Sequence, residues 1–477
     1  MIILICLLAL VLRLISLNQS LWLDEAINVN VARALSYKDL IFHYSLSDFH
    51  PPLYHIILKT WILAFGSSEI SVRMPSVIFG VGTVFVVFLA AKKLFEKKTA
   101  FIAATLIATA PLHIYYSQEA RMYMMAAFFA SLSVYFFVSI IKKDTFLNWL
   151  GFVIATAAAL YSDYLVYLLL PAYCLLIAFN FKRILTSTLR TFIPALVLIF
   201  ALLAPWFTLL PKQLSGGLTT AVVSPAWAQV VGSPTAKSLG LVFIKFSIGR
   251  ISNPDKNLYA LLFAPVGLYM AFLFFVSLFR VSHLRSILWY WLLVPIVLGF
   301  AISFYVPVFA YFRLIFTLGA FYIILASAIN SINWPPFSRL LLFLALAINL
   351  GASTIYLTNP SFQRENWRQA VNYIGENFTP RSIVLFESNY TTGPFDYYNV
   401  KNLKAAGALD NFIAQEPSVT QKVESLTHDK NKIFLFQYLS QITDPQGLVF
   451  QAISKEGFVN SSTKDFTGVG FVYEFNR

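Results

Sequence analysis

The sequence predicts an α-helical polytopic membrane protein that ends in a small soluble α/β domain. Three observations predict it. Of 477 residues, 58% are hydrophobic and only 12% charged, with a mean hydropathy of +0.69, far from the balance of a soluble domain. Apolar runs of roughly 20 residues, the length that crosses a bilayer, recur up to Leu357. From Asn359 onward the chain turns polar, charged and rich in turn residues.

About eleven runs qualify as spans, near 1–17, 71–91, 99–115, 122–141, 145–161, 164–181, 190–210, 258–279, 286–306, 311–330 and 338–357. Basic residues decide their direction: Lys92, Lys93, Lys97 and Lys98, then Lys142 and Lys143, Lys182 and Arg183, Arg280 and Arg285, and Arg339 fall at alternate gaps. By the positive-inside rule those gaps are cytoplasmic. The N-terminus then lies inside, and everything after Leu357 lies outside. The first run has no basic leader and no small-residue cleavage site, so it reads as a retained span. The formal charge of +13 is expected in cytoplasmic loops and at anionic headgroups, so the bilayer is the partner it calls for and nucleic acid is not. Cys6 and Cys174 sit in apolar runs, which leaves neither a disulfide framework nor a CxxC metal site.

The segment from His50 to Gly66 looks like a further span. Counting it would put Lys92 to Lys98 on the outer face, so it is expected as an interfacial or re-entrant helix beginning at Pro51 and Pro52. The first external loop, about 18–71, then carries two short helices, the other running from Asp24 to Leu35 with acids in its first turn. A second external piece, about 211–257, is rich in Gly, Ser, Pro and Thr and reads as a loop able to close over a site. Residues 1–357 thus form the membrane domain and 358–477 an extracytoplasmic α/β domain. In the latter, Trp367, Val371, Ile374 and Phe378 share a helical spacing, and "SIVLFES", "KIFLFQYL" and "GFVYEF" read as strands.

Ionisable residues are costly near a bilayer, at about 2.5–3.5 kcal/mol each at its centre. Asp24 with Glu25, His50, Lys59, Glu119 with Arg121 and Tyr123, Asp163, and Arg313 all fall at external span ends or in external loops. Each has a plain structural reading. Asp24 can cap a helix, Glu119 and Arg121 can form an interfacial pair, Asp163 can mark a turn, and Arg313 can snorkel. Their gathering on one side is what points to a site.

Four stretches in order, "SLWLDEA", the run from "FHPPLYHIILKTW" through "RMPS" to "AAKKLF", "YYSQEARMYMMAAF" and "PVFAYFRLIFTLGAFYIILA", resemble the GT-C superfamily. They look like its family 39 and ArnT-like membrane glycosyltransferases, which include the protein O-mannosyltransferases. The resemblance covers about 1–357, and "ENWRQAVNYIGEN" looks like the start of an extracytoplasmic domain of bacterial members. It implies a GT-C fold and a sugar donor on a polyprenyl monophosphate, used outside the cytoplasm. It implies Asp24 as catalytic base, Glu25 as its support or a guide for the acceptor, and Glu119 and Arg121 beside the active cavity. Arg313 falls where the family contacts the lipid-linked phosphate. In the ArnT branch Glu-Lys precedes the prolines and supplies a charge for metal or phosphate. Here Phe49-His50 stands there, as in the mannosyltransferase branch, so no cofactor is implied with certainty and a divalent metal is left open.

The residue types suit such chemistry on their own terms. A carboxylate that takes the proton of an attacking hydroxyl contributes about 10²–10⁴-fold, and a departing phosphate, already ionised, needs cations rather than an acid. Arg313, Arg121 and Lys59 are the candidates. A single displacement inverts the sugar. Two other classes stand beside this reading: a glycolipid transporter or flippase, which would place its charges near the midplane in repeated broken helices, and a scaffold, which leaves the Asp-Glu and His-Pro-Pro stretches unexplained. The acceptor, whether glycan, lipid or protein, is not legible.

Overall fold

The computed structural model describes residues 1–179, 186–223, 232, 234–279, 281–409 and 413–477. Every predicted span is matched by a helical segment. Six, among them Glu69–Leu94, Tyr123–Lys142 and Pro335–Thr358, are long and apolar enough to cross a bilayer. A seventh is broken. Lys97–Thr109 and Pro111–Ser117 meet at 58° because Ala110, directly before a proline, is held in the extended region (ψ 121°), where a following ring forces it. Four shorter apolar segments complete the bundle: Ile2–Leu14, Phe146–Leu160, Tyr164–Phe179 and Ser286–Ile302. The segment after the two prolines is a 13-residue helix, Leu53–Phe65, closed by Gly66 at φ 76°, a conformation glycine adopts without strain.

The bundle is sorted by solvent. Trp291, Phe137, Phe152 and Tyr322 are buried between helices, whereas Leu7, Val197 and Phe343 face outward as a lipid-facing surface requires. Several basic residues collect at one end, where Lys142 donates to the Lys93 carbonyl and Arg285 donates to the Leu94 carbonyl at 3.3 Å. Lys182, Arg183 and Arg280 lie outside the described residues. The acids gather at the opposite end. There the stretch 211–257 differs from the expected loop: it contains the helices Leu210–Val223 and Ala236–Ile248, the second started by a reciprocal Thr235–Ser238 capping box.

Beyond Thr358 stands a five-stranded sheet in the order β2-β1-β3-β5-β4, built of β1 (Ser382–Ser388), β2 (Ala405–Leu409), β3 (Lys432–Phe436), β4 (Val459–Phe466) and β5 (Gly470–Asn476). β1 pairs in parallel with both β2 and β3, and β5 is antiparallel to β3. The helix Trp367–Asn377 lays Trp367, Val371 and Ile374 on one face of the sheet, as their spacing predicts. The sheet unit is fastened to the acid-bearing helix Leu23–Ala34. A Cβ on Gly393 would meet Ile27 at 2.6 Å, Asn30 donates to the Gly393 carbonyl at 2.9 Å, and the Leu21 N–H donates to the Tyr398 hydroxyl at 2.8 Å.

Candidate active site

Adjacent in sequence, Asp24 and Glu25 leave their helix in different directions. Glu25 is fully buried. Arg73 donates to it from Nε at 2.8 Å and from Nη2 at 2.6 Å, and the Ala120 N–H donates at 2.8 Å. Burial raises its pKa, yet Arg73 and these donors hold it below the usual carboxylate range. The same guanidinium donates to the carbonyls of Leu17, Gln19 and Ser20. Glu25 is closed off from an acceptor, so of its two expected roles guiding one does not fit its position and supporting Asp24 does; it fixes the helix and the 118–121 turn. Asp24 keeps about a third of its side-chain surface exposed, with Arg121 Nη2 at 3.5 Å from Oδ2.

A cavity of about 370 Å³ lies in the same quarter. Its walls are mostly apolar, from Leu165, Leu168, Ile302 and Val308, and its polar lining includes His50, Asp163 and Arg313. Asp163 caps the short 3-10 helix Tyr164–Leu168 by accepting the Leu165 N–H at 2.8 Å. Burial raises its pKa, opposed by the positive charges of His50, Arg313 and Arg121. Gln213, from the stretch expected as a loop, also lines the cavity and donates to the carbonyls of Ser45 and His50 at 2.7 and 3.2 Å. The Tyr123 ring links the parts, 5.9 Å from the Arg121 guanidinium and 5.6 Å from the Phe312 ring beside Arg313.

Asp48 and His55 were not singled out in the sequence. Asp48 lies 3.3 Å from His50 Nδ1 and 3.4 Å from His55 Nε2. Burial raises its pKa, but His50 and His55 outweigh that and hold it well below the ordinary range, while burial lowers His55 to about 4. Lys59 stands apart from the cavity: it donates to the Ala32 carbonyl at 3.1 Å and sits 5.3 Å over the Tyr37 ring, so it stabilises the helix pair and is not placed to meet a phosphate. Glu119 is buried against Arg364 at 2.9 Å, its pKa raised by burial despite that partner. Arg73 and Arg364 were also missed. An arginine at the start of an apolar span, as in "RMPS", is the one signal that marks Arg73; nothing local marks Arg364.

Among the described residues no group of three His, Cys, Asp or Glu side chains is arranged to hold a metal ion.

The polytopic helical bundle with its docked sheet unit shares its fold with solved GT-C proteins. Residues 49–208 match the family model described as dolichyl-phosphate-mannose-protein mannosyltransferase. ArnT from Cupriavidus metallidurans in its apo state superposes over 100% of this chain and 97% of its own, with a TM-score of 0.58 at 13% identity. Its form bound to undecaprenyl phosphate gives a TM-score of 0.56, 13% identity and 99% and 97% coverage. The archaeal oligosaccharyltransferase AglB from Archaeoglobus fulgidus, in complex with an inhibitory peptide and a dolichol-phosphate, gives 0.57 at 14% identity, covering 99% of this chain and 73% of that one. No curated protein matches the chain. The chain has the GT-C fold, and its sequence resemblance to polyprenyl-phosphate-dependent members of that superfamily stands with it.

Proposed function

We propose that the protein is an inverting glycosyltransferase of the cytoplasmic membrane, moving a sugar from a polyprenyl-phosphate donor to an acceptor on the extracytoplasmic side. The observation that carries this reading is Arg313. Its guanidinium lines an apolar-walled cavity, and its buried Nε has no partner among the described residues. A half-buried guanidinium with an unpartnered nitrogen beside an apolar trough suits a lipid phosphate, whose prenyl chain needs the trough and whose anion needs the charge. Solved relatives support it: ArnT holds undecaprenyl phosphate and AglB dolichol-phosphate.

In this reading the acceptor hydroxyl attacks the anomeric carbon, Asp24 takes its proton, and the bond from that carbon to the phosphate oxygen breaks. The phosphate leaves as an anion and needs no acid. Arg313 and Arg121 stabilise its charge where little water screens it. Asp24 fills the base role better than Glu25 because it is partly exposed and free of a bidentate partner. Residues 1–357 are the catalytic domain, the N-terminus is cytoplasmic, and 358–477 stand outside with the donor.

The experiment is transfer from a panel of radiolabelled polyprenyl-phosphate sugars by the purified chain and by Asp24→Asn. The expected result is a labelled product from one donor, with transfer lost and donor binding retained in the variant. Uniform failure of folded protein across donors, with equal flipping of glycolipid by both forms, would establish the transporter instead.

A further inference from the structure

The sheet unit has a cavity of its own, of about 530 Å³, that the transfer reaction does not use. Its place in the fold is informative. β1 leads to β2 on one side, and β3 lies on the other, so the chain changes direction between β1 and β3. In open α/β sheets the crevice outside the carboxyl ends of the strands at such a switch point is where ligands bind. The cavity lies there: Glu387 is the penultimate residue of β1, and Leu435 and Gln437 come from the end of β3. Its size falls within the range of small-ligand sites, about 300–1,000 Å³.

The lining selects the ligand. Gln437 and Gln441 supply amides, Glu387 a carboxyl, and Phe450, Phe471 and Tyr473 aromatic rings; among the described residues no lysine or arginine lines the cavity. Tyr473 donates to Gln437 at 2.8 Å, and its ring centre lies 5.1 Å from Phe450 and 6.1 Å from Phe471. Asp444, a buried residue of the lining, has both carboxylate oxygens occupied by the Leu448 and Val449 N–H groups at 2.9 Å. A phosphate or other anion would meet carboxyls and no counter-charge, at a cost. A polyhydroxylated ring has hydroxyls for the amides and carboxyl and an apolar C–H face for the aromatics. Burial raises the Glu387 pKa to about 8, so near neutral pH it is protonated and able to donate as well as accept.

We propose that this crevice binds a neutral carbohydrate chain, with the Phe471 and Tyr473 rings against a sugar face and the Gln437 and Gln441 amides on its hydroxyls. The strand end that carries it also carries Tyr438, whose hydroxyl donates to Glu365 at 2.9 Å. Tyr438 packs with Trp367 and Phe436 on one face of the sheet, and Leu435, Phe450 and Tyr473 of the crevice belong to the other. That the bound chain belongs to the acceptor rests on the transferase reading; that a glycan binds here does not.

The test is calorimetric titration of the full-length protein in detergent with mannotetraose, maltotetraose and chitotetraose, with sodium phosphate as the anionic probe. One neutral tetrasaccharide is expected to bind saturably. Phe471→Ala should weaken it at least about tenfold, because a stacked ring contributes most of such contacts. Phe471 is 44% exposed, so its loss should leave the unfolding temperature in place, and Gln441→Ala, also exposed, gives a second reading. Asp24→Asn should bind as tightly as the parent, whether or not it has lost transfer. No binding by any of the three sugars, preference for phosphate, unchanged affinity in both crevice variants, or loss of binding in Asp24→Asn would each overturn the proposal.

Discussion

Arg73 grips Glu25 with two guanidinium nitrogens, at 2.6 and 2.8 Å, and both side chains are out of solvent. The pair joins the first turn of the acid-bearing helix to the start of the span Glu69–Leu94, and the carbonyls of residues 17, 19 and 20 use the remaining donors. Truncating one member leaves the other buried and charged without its partner, which costs about 3–5 kcal/mol. Glu25→Ala is therefore expected to lower the unfolding temperature sharply in detergent, whereas Asp24→Asn should leave it nearly unchanged while abolishing transfer. Calorimetric scans of the two variants check this; equal stability would show that the neighbouring acids do not divide structural and chemical work.

In the proposed reaction Arg313 acts on charge that grows as the donor bond breaks. Removing such a donor in other enzymes costs about 10²–10³-fold in rate. Arg313→Ala should lose that much in kcat/KM with little change in stability, because its Nε has no partner among the described residues. Arg313→Lys keeps the charge but not the planar fork, so it should recover part of the loss. Steady-state kinetics with a lipid-phosphate sugar separates the three forms, and identical kinetics in all of them would remove Arg313 from the site.

How much of this was legible follows from which interactions are local. The spans were readable because each needs about 20 apolar residues in succession, and their limits moved by only a few positions. Asp163 was readable as a turn because capping acts over two residues. β4 was not foreseen: seven of its eight residues are exposed or half-exposed and polar or charged ones predominate, so it has no apolar alternation to announce it. The helices inside 211–257 were hidden by glycine and serine, which lower helix propensity without forbidding a helix. Glu25 looked like the twin of Asp24 because the sequence does not show that Arg73, 48 positions away, closes on one and not the other. Lys59 read as a phosphate ligand for the same reason, its partner being a carbonyl on another helix.

Arg364 and Glu119 couple the sheet unit to the membrane bundle. Arg364 donates to Glu119 at 2.9 Å, to the Tyr115 hydroxyl, and lies 3.8 Å over the Tyr115 ring. Glu119→Ala would leave the buried Arg364 with the Tyr115 ring, hydroxyl and carbonyl but without its carboxylate partner. The junction near 359–366 should then open to protease while the spans stay protected, and domain docking should weaken by about 3–5 kcal/mol. Limited proteolysis followed by mass mapping reads this directly. An unchanged cleavage pattern would show that the remaining contacts, among them those of Gly393, Tyr398 and Arg368, hold the two parts together without this pair.

Glu387 should make the sheet unit's stability depend on pH with a definite sign. Burial raises its folded-state pKa from 4.5 to about 8. Between those values the folded form holds a proton that the unfolded form releases, so the stabilisation is complete below about pH 4.5 and is lost as pH rises towards 8. The slope from this one group cannot exceed about 1.4 kcal/mol per pH unit. The Thr443 hydroxyl, which donates to it at 3.0 Å, favours the ionised form and keeps the shift from being larger. Glu387→Gln has nearly the same shape and no titration. Unfolding temperatures of the parent and the variant, compared from pH 5 to pH 8.5, should therefore differ in slope, the parent falling relative to the variant. Parallel curves would mean that Glu387 is ionised in the folded protein and that its surroundings are wetter than the strand end around it implies.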